Sequence, residues 1–357
     1  MKVCMISPSY PSTNCGIATY TSYLINELQQ IANVAIIGAD VMQQSGKIHP
    51  RELLKGIADT EIIHIQHAFD LFGYLGYKTP KFYSQLRTLG KPIVTTIHEL
   101  PDAQTSSLKG RLVAPYFKWL IHAMMKNSDA VIVHSETGCK QLIHSPFRKK
   151  LRIIPHGTLT AQRPPVSKSD SPHTKTIGFF GFIKPHKGIH LIIQALRKLE
   201  GVKFVVAGAP KSPDDHRYLD YLKELIQQFG LQRRVEFPGF ILDEQLSHFF
   251  ASADIAVFPY SQCTATGALQ LAAAHESVIL ASDIEIFREL KRDYNCLEIF
   301  DLSDLDDLVT KIEDLLHNDH KREELVSGCR KLVTETGWSA VALKTYAIYQ
   351  QLITHSI

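Results

Sequence analysis

The six cysteines of this chain (Cys4, Cys15, Cys139, Cys263, Cys296 and Cys329) contain no Cys-x-x-Cys pair and lie scattered along 357 residues. That spacing argues against a zinc knuckle or a disulfide framework, and reduced thiols in a cytoplasmic setting are the expectation. No window approaches 18 uninterrupted apolar residues, so no membrane-spanning helix is expected. The opening "MKVCMISPSYPSTNCG" is interrupted by Pro8 and Pro11 too soon to form the apolar core of a signal peptide. The formal net charge is only +3, which gives no reason to expect a nucleic-acid partner. A three-glycine dinucleotide fingerprint is missing after the first strand, which counts against a nicotinamide enzyme. No DxD-type acidic cluster follows a strand to hold a divalent ion, so no metal site is expected. No matched carboxylate pair of the glycosidase kind appears. Short-period repeats are absent as well.

The composition is that of a globular protein, 45% hydrophobic and 21% charged, and the length suits two domains. Short β-branched runs alternate with helix-period segments. In the first part these runs are "KVCMIS", "VAIIGA", "EIIHIQH", "PIVTTIH", "AVIVHS" and "LRIIPHG", with amphipathic stretches over Thr19–Ile31 and Arg111–Lys126 between them. Residues 158–175, rich in Pro, Ser and charge, read as a linker. The alternation restarts with "TIGFFGFI", "VKFVVAGA", "RVEFPGFI", "IAVFPY", "SVILAS" and "CLEIF". Helical patterns cover Pro213–Phe229, Leu305–Leu316 and Trp338–Ile353. Near-continuous apolar strands with intervening helices predict parallel sheets buried on both faces. The fold class is α/β: two doubly wound, Rossmann-like domains facing a central cleft, divided into 1–165 and 166–337.

Ligands of such sheets bind outside the carboxyl ends of the strands, so residues just past each strand are the candidates. After the first strand, Asn14 and Gly16 precede a helix expected from Ala18 or Thr19, where a glycine admits a ligand close to backbone N–H groups. His64 and His67 lie in or after one strand; His64 reads as structural, and His67 either reaches the cleft or packs. His98 and Glu99 directly follow "PIVTTI", where an imidazole can donate to a hydroxyl or carbonyl; a plain loop contact is the alternative. In "GFFGFIKPHKGIHLIIQAL", Lys184 and Lys187 follow a strand and precede a helix, with Gly181 and Gly188 beside them. Two ammonium groups there suit a phosphate or diphosphate, against the alternative of two solvated lysines. In "FPYSQCTATGALQLAAAHESVILAS", Thr266, Gly267 and Ala268 open a small-residue helix that offers N–H groups to an anion or simply packs. Gln262 and Gln270 are the longer polar side chains nearby.

Taken together, these stretches resemble the retaining glycosyltransferases of family 4 (glycosyltransferase group 1, GT-B fold), in particular a mannosyltransferase-like branch, over nearly the whole chain. The resemblance implies a nucleotide-sugar donor, GDP- or UDP-linked, held by the second domain, with no separate cofactor. It implies a glycan or lipid-linked acceptor on the first domain. The segment 338–357 is similar to the family helix that crosses back onto the first domain. By the same resemblance Lys184 and Lys187 neutralise the donor diphosphate, and Gly16 meets the donor phosphates or the acceptor. His98 lies near the transferred sugar, and Thr266 and Gly267 contact the distal phosphate. The family carries two glutamates eight residues apart around the last loop; Gln262 and Gln270 stand there, or Leu271 in the second place if the alignment slips by one. The ribose half of the site is therefore altered. The reaction implied is transfer of a hexose, mannose first, with retention and without a metal, for polysaccharide biosynthesis in the cytoplasm. A catalytically weak sugar-nucleotide-binding protein and an epimerase of the same architecture are the alternatives. Residues 106–127, with Lys109, Arg111, Lys118 and Lys126 beside Trp119, read either as a helix that simply packs against its sheet or as a contact with the inner membrane face, an accessory to transfer or, as a third alternative, the function of a membrane-surface interaction module; "FRKK" at 147–150 adds a small basic patch.

Overall fold

The computed structural model describes residues 1–12, 15–38, 57, 59–100, 108–159, 174–263 and 267–354, the first five residues of the 108–127 helix by backbone alone. The chain divides into two compact units, Met1–Gly157 with Trp338–Ile357, and Thr158–Gly337. The division falls at Gly157–Thr158 rather than at 165/166, where the composition had suggested it. Thr158 pairs in a parallel bridge with Gly337, its N–H donating to the Thr336 carbonyl (2.9 Å), and most of the Pro/Ser-rich stretch lies outside the described residues.

The first unit is a six-stranded sheet of β1 (Lys2–Ile6), β2 (Asn33–Ile37), β3 (Ile62–His67), β4 (Ile93–Ile97), β5 (Ala130–Val133) and β6 (Leu151–Ile153), in the order β2-β1-β3-β4-β5-β6. Every pairing is parallel. The second unit has β7 (Lys175–Phe180), β8 (Val202–Ala207), β9 (Val235–Gly239), β10 (Ile255–Phe258), β11 (Ile279–Ser282) and β12 (Glu298–Phe300), in the order β12-β11-β10-β7-β8-β9, again all parallel. These are two Rossmann-like domains, each a parallel sheet flanked by helices.

The residue choice explains the order. Central strands are buried at every position: β3, β4, β5, β10 and β11, because helices cover both faces and no position faces water. Edge strands β2, β6 and β9 alternate or expose residues. Pro238 sits in β9, where an edge tolerates a residue with no N–H to donate; the ladder to β8 slips register beside it. Each unit has its own core. Ile63, Ile65, Phe72, Phe82, Met124 and Val131 anchor the first, and Phe179, Ile192, Phe204, Phe258, Leu280 and Phe287 the second. Fully burying each such side chain contributes on the order of 1.5–3 kcal/mol.

The helix Trp338–Thr354 belongs to the first unit and packs on the helix Gly16–Leu28. Its docking depends on Gly157, since a Cβ there would lie 2.4 Å from the Trp338 indole. His64 links this helix to the sheet through a hydrogen bond with the Tyr349 hydroxyl.

The strand orders also fix where ligands can sit. Order reverses between β1 and β3 in the first sheet and between β7 and β10 in the second. At such switch points the connections leave in opposite directions and open a crevice at the strand carboxyl ends.

Candidate functional site

In the second unit the two loops flanking the switch point are knitted together. The Ser261 N–H, past β10, donates to the His186 carbonyl (2.9 Å), past β7. Gly188 lies in the left-handed region (φ 65°), and a Cβ on it would sit 1.9 Å from the Pro259 carbonyl oxygen. Only glycine permits that approach. Lys184 and Lys187 ride on this loop. The Lys187 ammonium lies 3.5 Å from the centroid of the Tyr260 ring, a cation–π contact that holds the charge at the loop surface. Lys184 lies near the buried Asp215. Burial opposes ionisation of that carboxyl, but hydrogen bonds from Ser212 and Lys211, aided by the Lys184 charge, hold it below its usual range. His186, between the two lysines, is pushed down to about 4, by burial first and then by the charges of Lys187 and Lys184. Above pH 4 the loop therefore offers two ammonium groups separated by a neutral imidazole, a cationic cradle suited to a phosphate-type anion.

The other residues expected here are placed differently. Gly181 takes up φ 139°, and its N–H is already bonded to the Ala207 carbonyl (3.0 Å), so its part is shape rather than donation. Its carbonyl leaves no room for a side chain at Gly208, where a Cβ would come within 1.8 Å. Gly267 is the first residue of the helix Gly267–Ala274, and Thr266 lies outside the described residues. Gln262 is exposed. Gln270 is buried, its Oε1 accepting from the Thr158 hydroxyl (2.6 Å). The helix after Gly188 is short, Ile189–Ala195.

In the first unit, Gly16 opens the helix Gly16–Leu28, two residues before the expected start, and a Cβ there would meet no described protein atom within 4 Å. Asn14 lies outside the described residues. His98 sits just past β4, its N–H bonded to the His67 carbonyl (3.0 Å). The Gln66 amide donates to Met5 Sδ (3.1 Å), leaving its oxygen to accept from His98 Nε2–H (2.8 Å). His67 is fully buried, stacked on Phe72 at 4.6 Å and hydrogen-bonded to Tyr83. It packs in the core rather than reaching the strand-end surface.

Sequence reasoning missed the rest of the group around His98. His134 follows β5 and His156 follows β6, and both rings pack, with His98, around Tyr20 at 4.7–5.2 Å between centroids. Trp338 closes the fourth side at 4.9 Å. The signal was present, because His134 directly follows the buried strand β5, as His98 follows β4, and His156 is the third residue past the edge strand β6. His134 Nδ1–H donates to the Ile154 carbonyl (3.0 Å) and His156 Nδ1–H to the Gly157 carbonyl (2.9 Å). These bonds fix the tautomers, so His98 Nδ1, His134 Nε2 and His156 Nε2 keep their lone pairs. Burial, then the neighbouring imidazoles, holds His98 well below its ordinary value. Burial and then His156 push His134 down to about 3, and burial lowers His156. At neutral pH these imidazoles are uncharged; His134 Nε2 is buried, which leaves His98 Nδ1 and His156 Nε2 as the acceptors suited to hydroxyl groups and unsuited to anions. Among the described residues no group of three or more His, Cys, Asp or Glu side chains is placed to hold a metal ion.

Residues 166–332 match the family described as "Glycosyl transferases group 1", and residues 44–162 match "Glycosyltransferase Family 4". Each unit thus carries a match to a glycosyltransferase family model. An uncharacterized glycosyltransferase of Methanocaldococcus jannaschii is 29% identical over 181 residues, 49% of this chain and 45% of that protein. The D-inositol 3-phosphate glycosyltransferase of Mycolicibacterium smegmatis is 26% identical over 203 residues, 54% and 46% respectively. The chain thus spans about half the length of the curated relatives it matches. Among solved structures, sucrose-phosphate synthase of Thermosynechococcus elongatus superposes with a TM-score of 0.80 at 20% identity, over 99% of this chain and 100% of that one. Anabaena Alr3699/HepE, solved with UDP, superposes at 0.76 and 14% identity, over 99% and 100%. Lys184 and Lys187 follow β7 and His98 follows β4, at the strand carboxyl ends where ligands of parallel α/β sheets bind.

Proposed function

We propose that this chain is a retaining hexosyltransferase that uses a nucleoside-diphosphate sugar, UDP- or GDP-linked, and a glycan or lipid-linked acceptor hydroxyl, with mannose as the first candidate sugar. The observation that carries the reading is the β7 loop, where Gly188 and the His186–Ser261 bond hold Lys184 and Lys187 on a surface whose intervening histidine is neutral. A leaving diphosphate gains negative charge as the glycosidic bond breaks, and pre-placed ammonium groups stabilise that charge without the reorganisation that water would need. Supplied this way, the charge requires no bound metal. The departing phosphate oxygen takes the proton of the acceptor hydroxyl on the same face of the sugar, which gives retention. His98, neutral and with Nδ1 free to accept, orients a hydroxyl of the transferred sugar. HepE is solved with UDP-glucose, which supports a uridine donor alongside the guanosine one.

A weaker transferase that mainly binds its nucleotide is favoured by one observation. Gln270 is engaged with Thr158, so a carboxylate does not meet the ribose there. Turnover separates the readings. Purified protein supplied with a panel of nucleotide sugars and glycan or lipid acceptors should release nucleoside diphosphate with one donor. Binding without release would leave the binder, and neither binding nor release would remove both.

A further inference from the structure

We propose that the outer face of the helix Leu108–Asn127, with the loop before β6, is an interfacial surface that docks on anionic lipid headgroups. Charge is segregated along the chain. Residues 103–153 hold nine Lys or Arg and two carboxylates, within a protein of net charge +3. One of the two, Asp129, is taken up by Arg87 (2.7 Å) and the Ile93 N–H (2.8 Å). Lys118, Lys126, Arg148, Lys149 and Arg152 are exposed and, among the described residues, form no ion pair.

The folded chain gathers these charges on one side. Exposed positions of the helix recur at Pro115, Lys118, Trp119, His122 and Lys126, a single helical stripe, while Leu120, Met124 and Met125 are buried on the other side. His122 packs on Phe147 at 5.1 Å, which brings the 143–149 loop beside the stripe. Lys150 fastens the two by donating to the Met125 and Lys126 carbonyls at the helix end (3.1 and 3.2 Å). Interleaved with the charges are apolar groups: Trp119 is 53% exposed, Ile143 46% and Ile153 45%.

The mixture selects the occupant. A polyanion in water would use the lysines and arginines and could stack on Trp119, but an exposed isoleucine offers it nothing. A lipid interface uses all three kinds of group: charges at the phosphates, the indole at the headgroup level, and the isoleucines at the acyl boundary. The surface belongs to the first unit and the β7 loop to the second, and the proposal stands independently of the transferase reading.

The test is partitioning of the full chain onto phosphatidylcholine vesicles with and without phosphatidylglycerol. The protein has two tryptophans, and Trp338 is 7% exposed, so a blue shift in emission reports Trp119 entering the interface. We expect binding and a blue shift only with phosphatidylglycerol, reversed between about 0.05 and about 0.5 M salt as screening sets in. The exposed pair Arg148→Glu/Lys149→Glu should cut partitioning at least about tenfold, since each basic residue near an anionic surface contributes about 1 kcal/mol. Nucleotide affinity and the far-ultraviolet circular dichroism should stay unchanged. Wild-type partitioning in that pair, equal binding to neutral vesicles, or binding to a single-stranded oligonucleotide but not to vesicles would overturn the proposal. Vesicle binding without nucleotide binding would overturn the transferase reading and leave this one standing.

Discussion

Lowering the pH from 7 to 5 should weaken the first unit far more than its net charge suggests, because it holds histidines buried in the neutral form. His64 and His67 are fully buried, and burial pushes each down to about 3. In the unfolded chain they titrate near 6.5. A folded value below the unfolded one means that the unfolded state binds more protons at intermediate pH. Stability is therefore complete well above 6.5 and lost as pH falls toward 3. Between pH 7 and 5 each of the two costs about 2 kcal/mol, about 4 kcal/mol together, against a total of about 5–15 for a typical domain. His98, His134 and His156 act in the same direction. Carboxylates add little in this window, because their unfolded values lie below it. Both tryptophans, Trp119 and Trp338, belong to the first unit, so indole emission during urea unfolding reads that unit alone. His67→Phe keeps the packing against Phe69, Phe72 and Tyr83 and removes one titrating group, so it should recover about 2 kcal/mol of the loss. A decrease below about 1 kcal/mol between pH 7 and 5, or no recovery in the variant, would refute the reasoning.

Gly188→Ala should cost at least about 3 kcal/mol, because it combines an unfavourable φ with a Cβ 1.9 Å from the Pro259 oxygen; thermal unfolding measures it, and a loss below about 1 kcal/mol would mean that the loop shifts freely. In the second unit Glu298 is ringed by Lys291 (2.7 Å), Lys321 (2.9 Å) and Lys311 (3.5 Å). Burial raises its carboxyl, but the Lys291 and Lys321 hydrogen bonds win and bring it to about 2. Its stabilisation is present above the unfolded value and lost as pH falls through the folded one. Glu298→Gln should therefore destabilise by about 2 kcal/mol at pH 7 and make no difference near pH 2, as read by denaturant unfolding at both.

Much of this was legible in the residues. Runs such as "PIVTTI" and "IAVF" became strands buried on both faces because nothing polar interrupts them, and the helix bounds at Pro213, Leu305 and Trp338 agree because each follows a turn or cap. The lysine loop was legible because its residues sit next to one another in sequence. What was hidden depends on contacts between distant segments. His134 and His156 acquire meaning only when β5 and β6 stand beside β4 and Tyr20 comes between the rings. Gln270 reads as a ligand group until Thr158, 112 residues away, takes its oxygen. The sequence left His67 either reaching the cleft or packing, and Phe69 and Phe72 fold back over it in the core.

The central claim is that Lys187 and its loop grip a donor diphosphate. Calorimetric titration with UDP, GDP and the matching monophosphates tests it directly, on the wild type and on Lys187→Ala. One diphosphate should bind the wild type more tightly than its monophosphate, and the substitution should weaken the diphosphate at least about tenfold, the loss of a charge-assisted contact. The monophosphate should change less. Equal affinity of wild type and variant for every diphosphate would contradict the claim.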